Sequence, residues 1–183
     1  MTDMILERYF DPALTPGEVV EMAAESADCF GIHRVDWEAS YLSADGHKLV
    51  CNFRAPDMES ARIALRETDT DPRVMWKSSV HDAPGIEAAE IDKANVLVER
   101  SFDDAVALQQ IQDIEDAGIW CLEIRDVRFL RTFFSADRKR MLCLYAAPDA
   151  ESVRQAQREA GVPFDEAWAF SRYGPEDLSR ITS

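Results

Sequence analysis

Two dipeptides, Glu7-Arg8 and Glu99-Arg100, set opposite charges side by side in runs that are otherwise apolar and β-prone. Neighbouring strand residues point to opposite faces, so one member of each pair faces each side of a sheet. A charge held between layers is costly unless it is paired. Two readings follow: buried ion bridges that fix strand register, or two glutamates lining a cavity for a cation or polar ligand. His33 stands before a β-prone run, where an imidazole is an acid–base group, a metal ligand or a solvated loop residue. Glu38, Asn52 and Arg54 bring an acid, an amide and a guanidinium into two further strand-like runs, or onto an exposed strand edge; such groups could hold the polar head of a small molecule. Cys29, Cys51, Cys121 and Cys143 are widely spaced with no CxxC pair, which excludes a zinc ribbon and a thioredoxin motif. A buried free thiol behaves as a small hydrophobe, so all four are read as core. His47 and His81 are read as exposed.

The net charge of −15 argues against nucleic acid and an anionic membrane as partners, because phosphate recognition needs clustered Lys and Arg. The start, "MTDMILERYF", has no basic region followed by an apolar core, and no run approaches the roughly 18 apolar residues a membrane helix needs. A cytoplasmic protein is expected. Seven glycines, none clustered into a phosphate loop, exclude a nucleotide cradle of that kind.

The elements that must position these residues are written twice. "SADGHKLVC" (43–51) returns as "SADRKRMLC" (135–143), an offset of 92 (135 − 43), and the register holds from Glu7 to Trp76. Cys29 meets Cys121, Cys51 meets Cys143, "APDMES" meets "APDAES", and Trp76 meets Trp168. A period this long predicts two domains rather than a solenoid. In the first copy, 4–10 reads as a strand, and Thr15-Pro16 with Glu18 opens a helix that Gly31 stops. Residues 35–43 and 47–53 read as a hairpin around Ala44-Asp45-Gly46. Pro56 with Asp57 and Glu59 opens a second helix to about Glu67, and 73–80 is a fourth strand.

The β-α-β-β-α-β order predicts an α+β fold of two tandem ferredoxin-like units. Their boundaries are 1–82 and 95–173, with a linker at 83–94 and a tail at 174–183. "RMLCLYA" is apolar on both faces, which predicts units packed sheet to sheet as an intramolecular pseudo-dimer resembling a dimeric α/β-barrel. The state expected is a monomeric pseudo-dimer, with a further homodimer open.

The second copy also resembles a family of short ferredoxin-like proteins catalogued as a domain of unknown function, some of them described as nickel-binding. The shared features are Glu99-Arg100, Ser135 to Asp137, Cys143 and Tyr145, Ala147-Pro148 and Gly161 to Pro163. The first copy keeps Glu7-Arg8, Ser43 to Asp45, Cys51 and Ala55-Pro56, but has Phe53 for the Tyr and "DTDPR" for Gly-x-Pro. The resemblance implies a dimer-like fold and a metal ion, nickel, as ligand.

Two functions are carried forward. The first is a protein that binds a metal ion or small ligand between the sheets, with Glu7, Glu99, Asn52, Arg54 and Glu38 as ligand residues and Glu7, Glu99 and His33 as metal ligands. The second, by fold analogy, is a cofactor-independent oxygenase or isomerase for a small aromatic or polyketide-like substrate. There Arg54 clamps an oxyanion and Glu7, Glu38 or His33 is the base.

Overall fold

A computed structural model describes residues 1–180 of the chain. The chain divides into two compact units, Met1–Ser78 with the C-terminal segment from Ser171, and Ser79–Phe170.

The first unit is built from β1 (Thr2–Tyr9), α1 (Pro16–Ile32), β2 (Asp36–Ser43), β3 (Lys48–Ala55), α2 (Met58–Glu67) and the start of β4 (Met75–Asp82). Its antiparallel sheet runs β4-β1-β3-β2, with Leu6 opposite Cys51 and Ser40 opposite Cys51 on the other side. The helix starts follow local chemistry. Thr15 caps α1 in a reciprocal box with Glu18, whose carboxylate accepts from the Thr15 N–H at 2.7 Å. Asp57 caps α2 by accepting from the Ser60 N–H at 2.8 Å. Met4, Leu6, Leu49, Cys51 and Phe53 turn toward the helices and form one core with Val19, Phe30, Ala61 and Leu65. A short 3-10 helix, Pro175–Arg180, lies beside α1 in this unit; residues 181–183 of the expected tail lie outside the described residues.

The second unit repeats that order with β5 (Val96–Ser101), β6 (Arg128–Ser135), β7 (Arg140–Ala146), α6 (Ala150–Ala160) and the first part of β8 (Glu166–Tyr173), the sheet running β8-β5-β7-β6. Its helix-side core gathers Val96, Val98, Met141, Cys143 and Tyr145 against Ile111, Cys121 and Val153. Where the first unit has one 17-residue helix, the second has two pieces, α4 (Leu108–Ala117) and α5 (Ile119–Glu123), broken at Gly118. The break differs from the continuous helix the repeat predicts, and it falls where α6 comes close: a Cβ at Gly118 would stand 2.5 Å from the Ala160 Cβ. Residues 79–94, which contain the expected linker and a one-turn helix α3 (Ala88–Ile91), are pinned to β6. Arg131 donates twice to Asp82 at 2.6 and 2.9 Å, Arg128 pairs with Glu90 at 2.6 Å, and the Ala83 N–H donates to the Leu130 carbonyl at 2.9 Å.

The helix-free faces are buried too. Ile5, Tyr41 and Val50 in one unit, and Leu97, Phe133, Leu142 and Leu144 in the other, are each at most 4% exposed. Burial on both faces explains why these strands read as continuous apolar runs instead of alternating. No helix among the described residues is long and apolar enough to cross a membrane.

Candidate functional site

Three side chains with metal-ligand chemistry converge at the end of α1. Cys29 and His33 sit four residues apart and therefore share one face of the helix, His33 being its C-cap. Glu67 is the last residue of α2, which packs against α1. The His33 Nε2 lies 2.8 Å from Glu67 Oε2, and the Cys29 thiol donates to the same oxygen at 3.2 Å. One donor atom from each residue falls within 4.8 Å of the others.

The electrostatics follow from these contacts. The hydrogen bond from His33, then that from Cys29, holds the Glu67 carboxyl below the usual carboxylate range. Burial, then Glu67, pushes the Cys29 thiol above its usual range. Glu67 is 54% exposed, so its contact with His33 is screened and contributes little to stability.

The second unit shows what the same place does without histidine. Ninety-two positions on stand Cys121, Arg125 and Glu159. Arg125, just past the end of α5, donates to Glu159 of α6 at 2.6 Å and to the Cys121 carbonyl at 3.1 Å. A guanidinium offers no lone pair to a metal; an imidazole does. Cys121 is also fully buried, whereas Cys29 is half-buried.

The residues singled out from the sequence are placed as follows. Glu7 and Glu99 share the helix-free faces with Ile5 and Leu97, while Arg8 and Arg100 turn toward the helices. Each glutamate accepts from an indole N–H of its own unit, Trp76 at 2.5 Å and Trp168 at 2.6 Å. Asn52 is buried on the helix-free face of β3, and its Oδ1 has no hydrogen-bond partner among the described residues. Arg54, two residues on, is exposed. Glu38 is the extra residue of a β-bulge and borders a cleft of about 610 Å³ with Trp37, Arg172 and Glu176. His33 joins none of these residues; it joins Cys29 and Glu67. Cys51 and Cys143 lie in the helix-side cores, accepting from the hydroxyls of Ser40 at 3.0 Å and Thr132 at 3.1 Å. The His47 Nδ1 lies 2.7 Å from the Phe10 carbonyl, and its ring stacks on Tyr9.

Sequence reasoning left Cys29 in the core and did not consider Glu67. The available signal was the Cys29-x3-His33 spacing on a helix. Glu67 lies 34 residues beyond His33, a distance that hides it from any local motif.

Residues 97–169 match the family model described as nickel responsive protein SCO4226-like. The match falls in the second unit, and the Cys29–His33–Glu67 cluster lies in the first. No curated protein matches the chain in sequence. Among solved structures, SCO4226 from Streptomyces coelicolor A3(2) is 20% identical over 40% of this chain and 91% of its own, at a TM-score of 0.36. TA0507, a protein assigned as a chlorite dismutase, is 8% identical over 100% of this chain and 98% of its own, at 0.53. A mutant chlorite dismutase from Candidatus Nitrospira defluvii, solved in complex with cyanide, is 14% identical over 99% and 94%, at 0.51. The last two establish a shared mixed α+β fold and, at such identities, nothing about chemistry.

Proposed function

We propose that the protein binds a divalent transition-metal ion of the nickel class through Cys29, His33 and Glu67. The convergence of a thiol, an imidazole and a carboxylate within 4.8 Å carries this reading. A mixed sulfur, nitrogen and oxygen set suits borderline ions such as Ni²⁺, Co²⁺ and Zn²⁺ better than Mg²⁺ or Ca²⁺, which prefer all-oxygen sites. The family match over residues 97–169, to a nickel responsive protein, names the same class of ion but falls in the second unit, so the reading rests on the cluster itself. When bound, the ion would supply a Lewis-acidic centre. The chain's own part is to hold three donors on two helix ends and to give up the thiol proton.

Calorimetric titration of the full chain with Ni²⁺ tests the proposal. One ion per chain is expected, with affinity lowered by at least about 10-fold in Cys29→Ser and in His33→Gln, since even changes outside a ligand set cost that much. Equal affinity in both variants would remove the cluster from the account.

The pH dependence has a definite sign. Metal and proton compete for Cys29, and the raised thiol pKa carries that competition across neutral pH. Affinity should rise with pH, by up to about tenfold per unit below the thiol pKa, and one proton should be released per ion bound. Repeating the titration at several pH values checks this, and Cys29→Ser should flatten the dependence.

The two units are read as fused copies of one ferredoxin-like unit. Their element order and sheet order agree, and bonds recur at the 92-residue offset: Glu7 with Trp76 and Glu99 with Trp168, Ser43 with Asp45 and Ser135 with Asp137. In that reading the metal cluster is an acquisition of the first copy alone.

A further inference from the structure

The two units hold the same arginine in opposite states. Arg8 and Arg100 lie 92 positions apart (100 − 8) and both turn toward the helices of their own unit. Arg100 is 2% exposed and donates to the Pro163 carbonyl at 2.8 Å, to Gln157 Oε1 at 2.9 Å and to the Tyr145 hydroxyl at 3.0 Å. The Glu115 carboxylate stands 3.7 Å away as its counter-charge.

In the first unit Phe53, Leu65 and Ala23 occupy the places of Tyr145, Gln157 and Glu115. Each substitution removes an acceptor, and the last also removes most of a side chain. The Arg8 side chain is left with no hydrogen bond or ion pair among the described residues, its Nε buried and unsatisfied, its guanidinium carbon 5.1 Å from the Phe10 ring centre. A cavity of about 30 Å³ opens beside it, lined by Arg8, Ala23, Phe53 and Leu65 together with Trp37 and Ser26. The counterpart in the second unit brings the Glu115 carboxylate and the Gln157 amide to its arginine.

We propose that this cavity binds the carboxylate of a small organic acid, with Arg8 supplying the two-pronged donor that Glu115 and its neighbours satisfy in the other unit. A guanidinium matches a carboxylate with two parallel N–H bonds, a geometry that a lysine or a halide does not reproduce. The cavity has room for a head group of about two or three heavy atoms, since one water occupies about 30 Å³ of liquid and needs only about half that volume free to its centre. Formate and acetate fit this class; a dicarboxylate would have to leave its second group in the mouth. The residues involved are separate from the Cys29–His33–Glu67 cluster, so either site can stand without the other.

Thermal unfolding of the full chain in rising sodium formate or acetate tests this, with ionic strength held by sodium chloride, whose anion cannot accept the paired N–H bonds. The midpoint of the wild-type chain is expected to rise by about 5–10 °C at a hundredfold excess over Kd. Arg8→Met should abolish the rise. Ala23→Glu, which supplies an internal carboxylate at the position of Glu115, should raise the midpoint without added acid and should also abolish the response. Near-ultraviolet circular dichroism reports whether either variant keeps its packing, and the two act by opposite routes, so misfolding of one leaves the other decisive. No response in the wild type, an equal response in both variants, or a chloride response as large as that to formate would overturn the proposal.

Discussion

Glu115→Ala is expected to destabilise the protein by about 3–5 kcal/mol, the cost of leaving a buried charge without its partner. Arg100 is fully enclosed, and a guanidinium cannot shed its proton at any working pH. With the carboxylate gone, its charge would be left with neutral partners, among them the Tyr145 hydroxyl, Gln157 Oε1 and the Pro163 carbonyl, and its Nε already lacks a partner. The opposite change, Arg100→Met, should cost less. Burial pushes the Glu115 carboxyl above the usual range, so it can take up a proton and keep its 2.8 Å contact with Tyr145. A carboxyl whose folded pKa is raised favours folding below its unfolded pKa and loses that contribution as pH rises through the folded value. Arg100→Met should therefore be less stable at pH 8 than at pH 5, by urea denaturation. The double change Arg100→Met with Glu115→Leu should recover much of the loss, because a well-packed apolar pair can replace a buried ion pair.

Gly118→Ala is expected to cost about 1–3 kcal/mol, the usual penalty for forcing an extra carbon into a packed interior. The new Cβ would lie 2.5 Å from the Ala160 Cβ and 2.8 Å from its Cα. Backbone, rather than the end of a flexible side chain, stands in the way, so α5 and α6 must separate. The shift would also strain the Arg125–Glu159 bridge just past the end of α5. Pairing the change with Ala160→Gly removes the clash with the methyl group and leaves the clash with the backbone, so partial recovery is predicted in thermal denaturation. Complete recovery would mean that the methyl group alone forces the helices apart.

The parts of the fold that were readable from the sequence are those in which neighbours along the chain decide the outcome. Thr15, Pro16 and Glu18 mark a helix start because the capping box closes within three residues. Ser43, Asp45 and Gly46 mark the hairpin turn for the same reason, Gly46 taking a positive φ where an added Cβ would meet the Leu14 carbonyl. Cys51 and Cys143 proved to be core, as their apolar neighbours implied. What could not be read depends on interactions across elements. Glu99-Arg100 shows two charges on opposite faces of a strand but not what meets them: Arg100 finds its carboxylate on α4 and Glu99 binds Trp168, 69 residues away. The close approach of Ala160 to Gly118 is made between helices, which no helical periodicity can report. The candidate metal cluster was missed because its three donors come from two helices, and each alone resembles an ordinary helix-end residue.

The most direct measurement is the anomalous scattering of nickel in crystals of the full chain grown with Ni²⁺. A single strong peak within bonding distance of the Cys29 sulfur and His33 Nε2, with Glu67 adjacent, is predicted. A peak held by Glu7 or Glu99, with nothing beside Cys29, would contradict the account.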